Sequence, residues 1–425
     1  MKFSALDLAQ PLQQALEACG YTDMTPIQQK AIVPARRGKD ILANAQTGTG
    51  KTAAFALPIL QQMCDRPRNV ESGYVRAIIL TPTRELAEQL AVTINRYAQF
   101  LDLNIIACFG GVNMDSQKKK LARGVDILIA TPGRLLEHLV KCNTNLSRAE
   151  FVVLDEADRM LDMGFIADVA GILRNTPDKR QTMLFSATIS GEVQQLSKSI
   201  LTRHVEIRAT KINTAADTIE HVIYPVEERR KADLFSELIH KFNWFQVLVF
   251  TSTKAQADAL VNKLKNTGVT TALCHGDKTQ GTRRRALADF KAGKVQVLIA
   301  TEVAARGLDI PGLEYVVNYN LPYLAEDYVH RIGRAGRAGN KGYAISFVSR
   351  EEERAVSNIE RLINTTIKRI HMPGYDVGNR ESLRKNISKG RRKAPTNKAT
   401  HTKIEKNSKS SFAGAKNPRA KARKK

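Results

Sequence analysis

The segment AQTGTGKTAAF (residues 45–55) follows the apolar run Asp40-Ile41-Leu42 and leads into Ala- and Leu-rich sequence. Strand, Gly-rich turn, Lys-Thr and helix is the order a phosphate cradle requires. Successive backbone N–H groups point inward, Lys51 supplies a point charge, and the Thr52 hydroxyl is a Mg²⁺ ligand. The cradle runs Ala45-Gln46-Thr47-Gly48-Thr49-Gly50, with Ala45 standing where the strict pattern has Gly. A second stretch supports this reading: FVVLDEAD (151–158) is an apolar strand that closes on two consecutive carboxylates, Asp155 and Glu156. In an open parallel sheet, ligands lie at the carboxyl ends of the strands, so these acids face the Lys51 loop. Asp155 then holds Mg²⁺ through its water shell, and Glu156 orients and polarises an attacking water. A solvated helix N-cap is the alternative; it suits Asp158 better than a pair of acids closing a hydrophobic strand.

Outward from these segments, short apolar runs recur between charged, helix-length stretches: RAIILTP (76–82), VDILIATP (125–132) and QTMLFSAT (181–188). A second series follows, with HVIYPV (221–226), QVLVFTS (246–252), VQVLIATE (295–302), YVVNYNL (315–321) and KGYAISFVS (341–349). Runs without polar alternation indicate parallel strands buried on both faces. The fold class expected is α/β, two tandem domains with parallel sheets flanked by helices. The polar stretch RATKINTAADT (208–218) places the first domain at residues 1–208 and the second at 215–373. LIAT occurs at 128–131 and again at 298–301, which reflects either related halves or convergence of two buried strands. The second half has no G-K-T and no acidic pair after a strand, so one nucleotide site is expected.

The chain has 425 residues and a formal net charge of +24. Residues 376–425 hold 17 Lys and Arg against 3 Asp and Glu, a net +14, which leaves +10 for the first 375. Phe412 is the only aromatic residue beyond Tyr375, so this segment cannot offset its ordering entropy and reads as a disordered basic tail. Such a tail points to a polyanion partner. Asp7 and Gln10 interrupt the N-terminus where a signal peptide needs an apolar core, and no run of 18 apolar residues occurs, so no membrane association is expected. Five scattered cysteines without a C-x-x-C pair read as reduced packing residues and make a zinc site improbable.

The tetrad Asp155-Glu156-Ala157-Asp158 is the signature of the DEAD-box ATP-dependent RNA helicases, and the rest of residues 1–370 resembles that family in order. GYTDMTPIQ (20–28), with Phe3 upstream, resembles the adenine-reading Q motif and implies Phe3, Tyr21, Thr25 and Gln28 at the base. PTRELA (82–87), Gly110-Gly111 and TPGR (131–134) are similar to RNA-contacting motifs, and Ser186-Ala187-Thr188 to the motif linking hydrolysis to strand separation. LVFTST (248–253), QGTR (280–283), ATEVAARGLD (300–309) and HRIGRAGR (330–337) complete the set. The resemblance implies two RecA-like domains, ATP and Mg²⁺ as cofactors, and ribose recognition by Asp309. It implies coupling roles for Asp158, Ser186, Thr188 and His330. It also implies a cytoplasmic monomer acting on RNA, with ribosomal precursors or RNA-decay proteins as partners. The short lead and basic tail are most similar to the bacterial RhlE type. Two positions depart from the pattern: Glu302 where Asp is usual and Ala335 where Thr is common.

Side-chain chemistry agrees with these assignments. The Gln28 amide carries an acceptor and a donor in one plane and matches the N6/N7 edge of adenine, which guanine reverses. Phe3 either stacks on the base or simply packs. Arg334 and Arg337 lie in the half without the phosphate loop, so domain closure brings their guanidiniums to the γ-phosphate as transition-state stabilisers. RNA contact falls to small, hydroxyl and Arg residues: Arg84, Gly110, Gly111, Thr131, Arg134, Arg283 and Thr301. No aromatic stacking platform is evident, so contacts to sugar and phosphate carry little base specificity. An RNA clamp that uses ATP only to lock, and a DNA helicase, remain as rival readings; RNA- against DNA-stimulated ATPase with an unwinding assay separates them. Removing residues 376–425 is expected to leave the nucleotide site intact and to weaken RNA binding. If about a third of the tail cations touch phosphates, counterion release contributes a slope of about −4 in log K against log salt. A salt titration of RNA binding by the truncated chain then shows a clearly shallower slope, and an unchanged slope assigns the tail to protein contacts.

Overall fold

Apolar runs of four to seven residues are stable as strands when helices cover both faces of the sheet, and the chain is arranged in this way. The computed structural model describes residues 1–46, 48–208, 219–305, 308, 310, 312–336 and 341–375. Seven parallel strands form the first sheet: β1 (Ile41–Asn44), β2 (Val75–Leu80), β3 (Ile105–Cys108), β4 (Val125–Ala130), β5 (Phe151–Leu154), β6 (Gln181–Ser186) and β7 (Val205–Arg208). Its spatial order is β3-β4-β2-β5-β6-β1-β7. Seven more form the second: β8 (Ile219–Pro225), β9 (Val247–Thr251), β10 (Thr271–Cys274), β11 (Val297–Thr301), β12 (Tyr315–Asn318), β13 (Gly342–Val348) and β14 (Lys368–Arg369). Their order is β10-β11-β9-β12-β13-β8-β14, the same as in the first sheet when each strand is moved on by seven.

The fold is therefore two tandem RecA-like α/β lobes. The two LIAT segments fall on β4 and β11, strands in equivalent places, which favours related halves over convergence. Every apolar run picked out in the sequence is a strand. The four strands that were not picked out, β3, β7, β10 and β14, are the four sheet edges. An edge strand has a neighbour on one side only and is less fully covered; β3 and β10 are only half-buried over most of their length. At the end of the described residues Tyr375 is buried, with the Arg230 guanidinium 4.3 Å above its ring. The tail at 376–425 lies outside the described residues.

Helix Lys51–Asp65 is almost wholly buried, and Phe55 packs edge-on against Phe185 of β6 with centroids 5.4 Å apart. Its counterpart in the second lobe, helix Lys231–Phe242, follows β8 and also begins with a lysine. There the lysine is not available to a ligand. Lys231 is fully buried, 2.6 Å from a Glu228 carboxylate oxygen and 2.7 Å from one of Glu352. Glu352 also accepts hydrogen bonds from the backbone N–H groups of Leu321 (3.0 Å) and Ser349 (2.9 Å). Internal ion pairs thus fill the place that the phosphate cradle has in the first lobe. Replacing Lys231 with Ala removes the cation from Glu352, which keeps only its two backbone donors, and is expected to cost about 3 kcal/mol, the low end for a broken buried pair. Chemical denaturation of the full chain measures this loss, with ADP affinity at the first lobe unchanged.

Candidate active site and nucleic-acid cleft

In the first sheet β6 lies between β1 and β5, so three loops meet at one end: the cradle after β1, Ser186-Ala187-Thr188 after β6, and Asp155-Glu156 after β5. Ala45 is fully buried in the apolar core and its N–H donates to the Ser186 carbonyl at 2.9 Å, so the methyl group that replaces the usual Gly is accommodated by packing. The Thr49 hydroxyl donates to the Gln46 carbonyl at 2.7 Å. Gly50 caps the Lys51 helix at φ 89°, a backbone that L side chains rarely adopt. Thr47 and Asp309, both assigned to the nucleotide from the sequence, lie outside the described residues.

Gln28 is held within the chain. Its Oε1 accepts from the Thr25 N–H at 2.8 Å as part of a capping box, and its Nε2 donates to the Gly50 carbonyl at 3.0 Å. A Cβ on Gly50 would overlap this amide. The residue expected at adenine therefore also ties helix Pro26–Arg36 to the phosphate loop. Phe3 is 5% exposed and stacks on Tyr21, centroids 5.9 Å apart, so its ring belongs to the packing while Tyr21 presents an open face at 40% exposure.

Lys51 Nζ lies 3.4 Å from Asp155 Oδ1, both side chains being buried. Burial opposes the Lys51 charge, but Asp155, Glu156 and Asp158 outweigh it and hold the ammonium pKa above the ordinary lysine value. Glu156 has φ 57° and ψ 51°, left-handed backbone for a non-Gly residue, and this strain turns its carboxylate out of the strand line. Its pKa is raised by burial and by the neighbouring Asp155 and Asp158, against the opposite pull of Lys51 and of Arg334. Asp158 points the other way. One of its carboxylate oxygens accepts from the Ala187 N–H (3.1 Å), the Thr188 N–H (2.9 Å) and the Thr188 hydroxyl (3.0 Å), while its own N–H donates to Ser186 Oγ at 3.3 Å.

The second lobe reaches this edge. Arg334 is 5% exposed, donates from Nη1 to the Leu308 carbonyl at 3.0 Å and from Nε to the His330 carbonyl at 3.3 Å, and acts electrostatically on Glu156. Arg337 lies outside the described residues. Arg159, next to the tetrad, is buried and paired with Asp327 of the second lobe. Glu302 pairs with Arg331, itself buried and bonded to the Asn320 carbonyl at 2.7 Å. Ala335 is buried at 3% exposure in an apolar cluster with Leu298, Phe290 and Leu313.

A cavity of about 840 Å³ lies between the other halves of the two sheet edges. It gathers Arg84, Gly110, Thr131, Arg134, Arg283 and Thr301, six of the seven residues assigned to RNA. Gly111 is beside it at φ 76°, where a side chain would overlap the Arg84 guanidinium. Arg283 Nη2 is 2.6 Å from Glu85, whose carboxylate also accepts from Gln280 at 3.2 Å, and Arg284 clamps Glu88. Gly276, which also lines the cavity, was missed in the sequence. The available signal was Cys274-His275-Gly276 after β10, matching Cys108-Phe109-Gly110 after the equivalent strand β3.

Among the described residues no cluster of three or more His, Cys, Asp or Glu is placed to hold a metal by itself. Mg²⁺ does not need one: it keeps several waters and takes one or two protein oxygens together with substrate phosphates. The Thr52 hydroxyl at the start of the Lys51 helix and the Asp155 carboxylate supply that donor set, and the buried Lys51 ammonium beside Asp155 has no other acceptor among the described residues. No helix of the described residues is long and apolar enough to cross a membrane.

Residues 25–196 match the family described as DEAD/DEAH box helicase, and residues 230–339 match the helicase conserved C-terminal domain. The chain is 41% identical over 371 residues to the ATP-dependent RNA helicase RhlB of Pseudomonas syringae pv. tomato, covering 86% of this chain and 94% of that one. It is 39% identical over 376 residues to the DEAD-box ATP-dependent RNA helicase CshA of Bacillus cereus, covering 88% and 70%. Among solved structures, S. cerevisiae Dbp5 bound to RNA and ADP BeF3 aligns with TM-score 0.79 at 31% identity over 91% of this chain and 99% of that one. Relatives named DbpA and DeaD match as well, so the RhlE type is not singled out.

The Asp158 carboxylate carries three of the hydrogen bonds that join β5 to β6. Asp158→Ala is expected to destabilise the first lobe by about 2–4 kcal/mol, since charge-assisted bonds of this kind contribute roughly 1.5–3 kcal/mol each and do not add fully. A thermal melt measures the loss. Thr188→Ala removes one donor and is expected to cost about 1 kcal/mol.

Proposed function

The chain belongs to the DEAD-box ATP-dependent RNA helicases, and on that basis we propose how its own residues divide the work of an RNA-stimulated ATPase that opens duplexes locally. The observation that carries the reading is the convergence on one strand edge of Lys51, Asp155 and Glu156, with Asp158 tied to Ser186-Ala187-Thr188 and Arg334 arriving from the other lobe. The family uses ATP with Mg²⁺. Thr52 and Asp155 would hold the ion, which when bound neutralises charge on the phosphate oxygens. Lys51 and the backbone of residues 45–50 bind the phosphates, and Gln28, Thr25 and Tyr21 border the base. Phe3 supports Tyr21 from behind. Asp309 accepts from the ribose hydroxyls.

Glu156 orients and polarises the attacking water. Its raised pKa fits a group that must take up positive charge from water near neutral pH, a match that Brønsted behaviour favours. Arg334 and Arg337 stabilise the charge that develops on the transferred phosphoryl group, as guanidiniums do across closing clefts. RNA occupies the cavity between the lobes, contacted through its backbone by Arg84, Gly110, Gly111, Thr131, Arg134, Arg283 and Thr301. The Arg283–Glu85 pair joins the two lobes at that same cavity, so RNA binding and closure favour each other. Phosphate release removes the ligand on which the two lobes converge; Asp158, Ser186, Thr188 and His330 carry that change from one lobe to the other. The domains run 1–208 and 215–373, with a tail over 376–425. A monomer acting in the cytoplasm, in ribosome assembly or RNA turnover, fits this reading.

Lys51→Ala is expected to abolish hydrolysis through lost nucleotide affinity. Glu156→Gln retains ATP and traps the RNA complex, because the geometry survives while the charge that polarises water is lost. The acid limb of the RNA-stimulated kcat lies above the usual carboxylate range, since Glu156 must be ionised and its pKa is raised. That limb is absent from the residual rate of Glu156→Gln; an unchanged limb assigns it to another group.

Arg337→Ala lowers kcat by about 10³–10⁵ with little change in melting temperature, and Arg337→Lys rescues little because an ammonium lacks the planar fork. A near-normal kcat for Arg337→Ala would remove it from the site. Arg334→Ala costs both rate and stability, because its guanidinium also satisfies the Leu308 carbonyl.

A further inference from the structure

Helix Met114–Leu121 (MDSQKKKL) begins three residues after Gly111 and leads away from the cleft. Lys118, Lys119, Lys120 and Arg123 are all exposed, and none of them forms an ion pair among the described residues. Ser116, Lys119 and Lys120 are spaced i, i+3 and i+4 on one helical face, and Arg123 follows just past the helix end on the same side. With Asn113 and Asp115 they line a surface concavity of about 470 Å³. Like charges three and four residues apart repel one another, and Asp115, one turn before Lys119, is the only acid among the residues lining the concavity.

The opposite face fixes the helix in place. Leu121 is fully buried in the core, and Gln117 is 5% exposed. Gln117 Nε2 donates to the Phe109 carbonyl at 3.0 Å, immediately before Gly110-Gly111. Its Oε1 accepts from His138 Nε2 at 2.9 Å and lies 3.4 Å from Arg134 Nη1, which donates to the Val112 carbonyl at 3.0 Å. The His138 tautomer follows from its other nitrogen, which accepts from Asn143 Nδ2 at 3.1 Å. The cationic face is thus rigidly joined to two segments placed on the RNA cavity, Gly110-Gly111 and Thr131–Arg134. An ordinary solvated lysine run has no such mounting.

We propose that the face formed by Lys119, Lys120 and Arg123 is a second phosphate-binding track that takes the backbone of an RNA strand, or of the duplex continuing it, beyond the Gly110-Gly111 end of the cavity. This rests on the reading that the cavity binds RNA. The helix is about 12 Å long, so it lengthens the contact without adding base readout. Asp115 disfavours phosphate at the start of the helix, which puts the tightest contact near Arg123. An acidic protein is the other class of partner that such a face fits; the adjoining RNA cavity favours nucleic acid.

The test uses the full chain carrying Lys119→Gln, Lys120→Gln and Arg123→Gln together, all exposed positions, with a thermal melt as control for folding. Binding is measured against salt, with a non-hydrolysable ATP analogue, on two RNAs. One is a single strand of about six nucleotides, at the low end of single-strand site sizes. The other is the same strand flanked on both sides by duplex. On the short RNA, parent and triple variant are expected to bind alike and show the same stimulated ATPase. On the extended RNA, the variant's slope of log K against log salt falls by about two, the counterion release of three contacts at about 0.7–0.9 each. Replacing all three residues so that charge is kept, with Arg at 119 and 120 and Lys at 123, restores the slope. Equal slopes for parent and triple variant on the extended RNA overturn the proposal, whether the face then serves an acidic protein or only solvent. A parent chain that fails to bind the short RNA overturns the cavity reading instead, so the two failures are distinct.

Discussion

The site depends on the carboxylate of Asp158. It closes the gap between β5 and β6 by accepting three hydrogen bonds from residues 187 and 188, in a buried setting where an unmet donor is costly. Two residues earlier, Glu156 is buried in left-handed backbone. The tetrad therefore divides its contacts: Asp155 stands beside the Lys51 ammonium, and Asp158 holds the loop after β6.

Between the lobes, ion pairs of unequal burial make contact. Arg283–Glu85 and Arg159–Asp327 are both nearly sealed from water, whereas Arg284–Glu88 has a guanidinium 56% exposed. Exposed pairs are screened and contribute little. Buried pairs depend on geometry, and separating them leaves charges without partners. Glu85 sits on the helix that begins with Arg84 and lines the interlobe cavity, while Arg159 sits one residue past the tetrad, so one pair borders each candidate site.

The repeated sheet order explains why two similar lobes have unequal roles. Both use the end of β3, β4 and β2, or of β10, β11 and β9, to line the RNA cavity. In the first, the lysine after the inner strand stands beside Asp155 at the glycine-rich loop. In the second, Glu228 and Glu352 occupy the equivalent lysine.

Much of this was legible in the chain. Spacing in AQTGTGKT and the strand ending in Asp155-Glu156 identified the cradle and the acids, because backbone geometry near phosphate admits few residue types. The inner strands were legible because burial on both faces forces continuous apolar runs. The edge strands were not, since a half-solvated strand such as β14, with only Lys368 and Arg369, carries no distinctive pattern. Nor were the partners of charged side chains. That Gln28 binds the Gly50 carbonyl, that Lys231 is consumed by two glutamates, and that Arg283 meets Glu85 across 198 positions depend on which elements pack together. Local chemistry decides what a residue is able to do, and it is written in the sequence. Which opposite charge stands within 3 Å is decided by the tertiary fold, because ion pairs form between residues brought close in space from distant parts of the chain.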